Sequence, residues 1–182
     1  PNGPGWRYSS LTRQPELPRP GFRLLAMSAT RPHTDPGPTA LGTWSGGRFM
    51  GYGAPLEDER LIALMTPDDS IRTVITADVY GTGEADSMLG RAIAGRPREQ
   101  VCVVGAVGHD FYSGQRDGAK GFPRFTDPRL REPPAYGDYL AMATERSLER
   151  CGIDSFDLLL LHNPDRIGYT SHAVWDGMAA LR

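Results

Sequence analysis

From Ala40 onward, apolar positions along the chain follow two alternating rhythms. Short β-branched or apolar runs occur at Ala40–Trp44, Thr73–Ala77, Val101–Val104 and Phe156–Leu161. Each has the length and composition of a buried strand. Between them, apolar residues recur at helical spacing. Leu61, Ile62, Leu64 and Met65 predict a helix over Leu56–Met65 that stops before Pro67. Met88, Leu89, Ala92 and Ile93 predict one over Glu84–Ala94, and Leu140, Ala143, Leu148 and Cys151 one over Tyr139–Cys151, with Gly152 as its stop. A last helix runs from Ala173 to Leu181.

Strand and helix alternate four times, which requires crossover connections and hence a parallel sheet covered by helices. Four such units build either a doubly wound sheet or half of a barrel, and periodicity does not choose between them.

Ahead of this region, residues 1–38 hold eight of the sixteen prolines and read as an extended leader, in which Leu24–Met27 is a candidate docking strand. A second irregular stretch, Gly108–Pro134, is rich in Gly, Pro, Arg and Asp. Loops of that length are uncommon unless they serve a site or are disordered.

The formal net charge is -2, so no basic field points to nucleic acid or anionic membrane. The longest apolar run, Phe156–Leu161, is too short to span a bilayer. Cys102 and Cys151 lack metal or redox spacing and read as a buried strand thiol and a helix-end thiol, compatible with a reducing cytoplasm. His109-Asp110, with His162 or His172, has no metal-ligand spacing, and we read these as surface polar residues.

Candidate chemistry sits at the ends of the strands. Trp44-Ser45 follow the first, Tyr80 the second, and His162 closes the fourth. In parallel α/β folds the carboxyl ends of strands converge on the site. Gly81-Thr82-Gly83 stands where a dinucleotide fingerprint would, but Asp86 occupies the place of its third glycine, so these glycines predict a tight turn.

Several of these segments, in order, resemble aldo-keto reductases: Leu41-Gly42-Thr43-Trp44, Thr76-Ala77-Asp78-Val79-Tyr80-Gly81-Thr82-Gly83, Leu89-Gly90-Arg91-Ala92, Pro97-Arg98-Glu99 and Asp157 to Asp165. Within that family they look most like bacterial aldose dehydrogenases. The resemblance implies the first four units of a parallel (β/α)₈ barrel over residues 39–182. It implies an NADP(H)- or NAD(H)-dependent oxidoreductase of small carbonyl or sugar-like substrates, with cofactor contacts at Trp44 and Asn163, in a cytoplasmic protein.

The family uses an Asp, Tyr, Lys and His tetrad. By resemblance the tyrosine falls on Tyr80 and the histidine on His162. The aspartate position holds Ile75 and the lysine position Ala106. Asp78 belongs to the interior of the motif and, by alternation along a strand, points away from Ile75. Lys120, the sole lysine, lies deep in the long loop.

Losing one partner of a buried ion pair strands a charge, at a cost of roughly 3–5 kcal/mol, whereas replacing both with apolar groups is often neutral. Ile75 with Ala106 is the second kind of change. Without the ammonium, Tyr80 keeps a pKa near its ordinary value of about 10, poorly matched to acid catalysis at neutral pH. Three activities follow as expectations: weakened redox catalysis, repurposed acid/base chemistry such as dehydration, cyclisation or epimerisation, or a non-catalytic binding role. Four units alone leave sheet edges and an apolar interior open, which predicts a complementing half, a homo-oligomer, or a fragment of a longer chain.

Overall fold

The computed structural model describes residues 36–118 and 121–182. Most of the Pro-rich leader, the Leu24–Met27 segment and Lys120 lie outside these.

Four strands form one parallel sheet in the order β1-β2-β3-β4: Ala40–Gly42, Thr73–Ala77, Cys102–Val107 and Leu158–Leu161. The register pairs Gly42 with Ile75, Ile75 with Val104, Ala77 with Ala106, and Ala106 with Leu160. Partnered residues share a face, so these side chains all lie on one side of the sheet. The other side carries helices α2 (Asp58–Met65), α3 (Glu84–Ile93), α4 (Tyr136–Cys151) and α6 (His172–Ala179). Two short helices, α1 (Gly46–Phe49) and α5 (Arg166–Thr170), follow the ends of β1 and β4.

Helix α3 buries Ala85, Met88, Leu89, Ala92 and Ile93, and α4 buries Tyr136, Tyr139, Leu140, Ala143, Leu148 and Cys151. Both sets keep the three-then-four spacing of a single helical face. Leu89, Ile93, Leu148 and Cys151 pack with Val74 and Val103 of the sheet, Tyr136, Tyr139, Leu140 and Ala143 with Val107, and Met88 and Ala92 with Leu61 and Met65 of α2. Fully buried side chains such as Leu89 and Leu140 each contribute roughly 1.5–3 kcal/mol. The opposite face of the sheet is open. Ile75 is 38% exposed, and Leu158 and Leu160 are each 46% exposed.

Several boundaries differ from the sequence-based expectations. Strand β1 ends at Gly42 rather than Trp44. Thr43 N–H still donates to the Ile75 carbonyl at 3.0 Å, and the chain then turns into α1. Strand β3 runs on to Val107, through Gly105 and Ala106, because the buried Phe156 ring packs directly over Gly105. Strand β4 begins at Leu158, since the Asp157 carboxylate is committed to Val103 N–H at 2.7 Å and to Arg98 at 2.6 Å. Helix α2 starts at Asp58 after Glu57, and α4 starts at Tyr136, led in by a 3₁₀ turn over Pro133–Ala135. Gly152 stops α4 with φ of +64°, and both cysteines are buried thiols. Among the described residues, no helix is long and apolar enough to cross a membrane.

One polar hub crosses the covered side of the sheet. Asp86, fully buried on α3, accepts from Thr76 Oγ1 and Ser147 Oγ at 2.8 Å each, and from Arg150 at 3.0 Å. Thr76 in turn accepts from Thr43. Burial pushes the Asp86 carboxyl up, and Ser147, Thr76 and Arg150 pull it back down. The residue that excludes a dinucleotide fingerprint therefore ties β1, β2, α3 and α4 together.

Candidate active site at the strand ends

Tyr80 leaves β2 through a 3₁₀ turn, Tyr80–Gly83, in which Gly81, Thr82 and Gly83 all have positive φ. Three left-handed residues in a row reverse the chain within four residues, a conformation that glycine adopts at little cost. The turn seats the phenol above the strand ends. His162 follows β4 directly, and its backbone N–H continues the ladder by donating to the Val107 carbonyl at 2.8 Å. The two side chains meet. Tyr80 Oη lies 3.2 Å from His162 Nε2, and the rings stand edge to face at 88°.

Both belong to a cavity of about 340 Å³ bordered also by Trp44, Phe49, Met50, His109, Arg116, Phe122 and Asn163. Trp44 and Asn163, expected from resemblance to contact cofactor, are thus beside Tyr80 and His162. Ile75 and Ala106 lie on the open face of the sheet below, and neither brings a charge to the phenol. Asp78 is fully buried toward the helices, near Asp86 and Arg150, and does not substitute. Among the described residues, no acidic side chain borders the cavity.

Electrostatics follow from burial. Desolvation raises the Tyr80 phenol above its ordinary value. Burial, with His109 and Arg124 nearby, pushes His162 down to about 4. Both groups are neutral at pH 7, and they share one hydrogen bond whose direction follows the imidazole tautomer.

His109 departs from expectation. It is not a surface residue. It is 9% exposed and its ring centroid lies 5.1 Å from that of His162. Asp110 beside it is fully buried and pairs with Arg131. The rule that picked out Tyr80 and His162, polar groups just past a strand end, also identifies His109 once β3 is extended to Val107. Among the described residues, no group of three His, Cys, Asp or Glu side chains is placed to hold a metal ion.

The long loop is folded rather than loose. His109 bridges Arg124 and Asp117 bridges Gly121. The Asp110 carboxylate accepts from Tyr112 N–H, Ser113 N–H and Ser113 Oγ.

Comparison with known proteins bears on the fold and the family. The 6-dehydroglucose reductase of Novosphingobium aromaticivorans is 27% identical over 161 residues, which is 82% of this chain and 44% of that protein. The chain therefore spans less than half the length of this curated relative. A holo-form aldo-keto reductase from Bacillus halodurans superimposes with a TM-score of 0.54 at 22% identity, covering 78% of this chain and 41% of that one. An aldo-keto reductase from Klebsiella pneumoniae, in complex with NADPH, does so with a TM-score of 0.51 at 24% identity, covering 78% and 40%. These likenesses identify the four parallel units as part of a (β/α)₈ barrel. The model of the Aldo/keto reductase family matches residues 39–182, and the chain belongs to that family.

Proposed function

We propose that this chain carries the carbonyl-facing part of an NAD(P)(H)-dependent oxidoreductase site for sugar-like or other small carbonyl substrates, with redox catalysis weakened by Ile75 and Ala106. The observation that carries the reading is the Tyr80 Oη–His162 Nε2 contact of 3.2 Å at the strand ends. With His162 donating to the phenol oxygen, the phenol proton is left for the place where a carbonyl oxygen can sit. The name of the Novosphingobium relative supports a carbonyl sugar as substrate, and the NADPH complex of the Klebsiella protein supports the cofactor.

A nicotinamide cofactor supplies or removes the hydride when bound. The residues present fit its reactive end. Among the described residues no carboxylate borders the cavity to repel an anionic dinucleotide, and Trp44, 48% exposed, and Asn163 are the residues that would hold that end. Tyr80 holds the carbonyl oxygen and delivers the phenol proton, while His162 Nε2 hydrogen-bonds the phenol oxygen. With alanine at position 106, and with burial raising its pKa, the phenol is a slow donor.

A titration of NADPH into the protein, followed by tryptophan fluorescence, tests this reading. Saturable quenching is expected, since Trp44 borders the cavity. A flat response up to high micromolar cofactor removes the redox reading.

The closeness of His109 to His162 favours a second reading, acid/base chemistry without hydride transfer, in which His162 and Tyr80 move protons. It predicts turnover indifferent to added nicotinamide.

A further inference from the structure

The arginines of the loop between β3 and α4 divide by what neutralises them. Arg129 is matched by Asp127 at 2.6 Å, and Arg131 by the buried Asp110. Arg116 and Arg124 have no carboxylate partner among the described residues, and these are the two that reach the site. Arg116 borders the cavity that holds Tyr80 and His162. Arg124 packs against His109, and its Nε–H donates to the carbonyl of Asn163, another residue of the cavity.

The charge of Arg124 is felt inside: after burial and His109, it too opposes protonation of His162. Among the described residues, no carboxylate borders the cavity to offset it. A guanidinium stays charged at any working pH, so the cavity carries a positive field. The donors of Arg124 are committed to Asn163 and His109. Those of Arg116, an exposed residue, are not engaged by any described residue. Its planar fork fits the two oxygens of a carboxylate, a pairing that a neutral hydroxyl does not reproduce.

We propose that Arg116 is a specificity-determining residue that selects carbonyl substrates bearing a carboxylate. The site would then take a carbonyl at Tyr80 and an anionic end at Arg116, favouring a sugar acid or another small oxo acid over a neutral sugar. This rests on the reading of the cavity as a carbonyl site and narrows it. One singly charged carboxylate matches the one uncommitted guanidinium, and a cavity of about 340 Å³ is within the range that small ligands occupy. Dinucleotide phosphates share the anionic chemistry, and the test separates the two sources.

The test is calorimetric titration of the full chain, without nucleotide, with sodium D-glucuronate and with D-glucose, which differ in the carboxylate. Glucuronate is expected to bind about tenfold more tightly, the scale of one charged hydrogen bond. Added salt should erode that preference. Arg116→Gln should abolish it by weakening glucuronate alone, and Arg116→Lys should keep part of it. Arg129→Gln, in the same loop, should keep all of it. Equal affinity for the two sugars, no binding of glucuronate, or a preference unmoved by Arg116→Gln overturns the proposal. So does a loss of glucose affinity as large as that of glucuronate, the mark of a merely structural role. NADPH titrated into Arg116→Gln reads the other anion: a cofactor affinity that drops while the sugar preference stays assigns the guanidinium to the phosphates and overturns the proposal. The sugar titrations use no nucleotide, so a flat NADPH response of the wild type leaves their result standing, and an absent preference for glucuronate leaves nucleotide binding untouched.

Discussion

Ile75 and Ala106 lie diagonally across adjacent parallel strands, on the same face, two positions apart in register, since Ile75 pairs with Val104 and Ala77 with Ala106. Diagonal neighbours of this kind are within reach of a long side chain. The resemblance puts an aspartate and a lysine at these two positions, which would let them meet, and the apolar pair leaves no charge behind.

This arrangement makes the order of reintroduction matter. Ala106 is 5% exposed and Ile75 is 38% exposed. Ala106→Lys alone buries an unpaired ammonium and should cost roughly 3 kcal/mol in a urea denaturation series, whereas Ile75→Asp alone should cost less. The double variant should recover at least half of the lysine's cost and lower the phenol pKa in an ultraviolet titration. Strict additivity of the two single effects would show that the sites do not meet.

Acid should weaken the fold through His162. Its folded pKa is near 4, below the ordinary value of 6.5, because burial and the neighbouring His109 and Arg124 oppose the charge. Between those values the unfolded chain binds the proton first, so stability falls as pH drops from about 6.5 to 4. The loss attributable to this residue is on the order of 2–3 kcal/mol. Comparing unfolding free energies of the wild type and His162→Phe across that range isolates it. Equal slopes for the two proteins would contradict the assignment.

Asp78 should act in the opposite sense. Its carboxylate oxygens are buried without partners, and desolvation, with Asp86 nearby, drives its pKa well upward. The folded state keeps the proton that the unfolded chain releases near pH 4, so this residue lowers stability as pH rises through and beyond that point. Asp78→Asn should raise the thermal midpoint at pH 7, and the gain should vanish by pH 4. A gain that persists unchanged at pH 4 would point to packing instead of ionisation.

Helices α3 and α4 touch at Gly90. A β-carbon there would lie 2.8 Å from the Cys151 carbonyl oxygen and 2.9 Å from that of Arg150, both backbone atoms that cannot rotate away. Gly90→Ala should therefore cost about 1–3 kcal/mol despite alanine's better helix propensity. Gly137→Ala, whose nearest neighbour is 3.7 Å away, should cost little. Chemical denaturation of the two variants provides the comparison.

The four strands, helices α2, α3, α4 and α6 and the parallel order were legible as apolar runs of strand length alternating with apolar residues at helical spacing, whereas the short α1 and α5 carry no such pattern. Tyr80 and His162 were legible because strand ends converge in such folds. What escaped was set by tertiary packing. Gly105 and Ala106 are weak strand formers, and only the Phe156 ring over Gly105 explains why β3 continues past them. That truncation hid His109, which a longer strand brings to the rim. Asp86 and Arg150 are 64 residues apart, and no local pattern announces that they share a buried ion pair.

The anchoring of the β3–α4 loop divides it by what each part can tolerate. Its two ends are clamped: Tyr139 donates to the His109 carbonyl, Tyr136 to the Thr126 carbonyl, and Arg131 closes onto Asp110. The stretch between Gly114 and Gly121, which brings Arg116 to the cavity, is mostly exposed where its side chains are described. The described residues of this stretch that line the cavity, Arg116 and Gly121, are thereby separated from the clamps. New preferences can arise by exchanging side chains in that short tip while the clamps, and the histidine they orient, stay as they are.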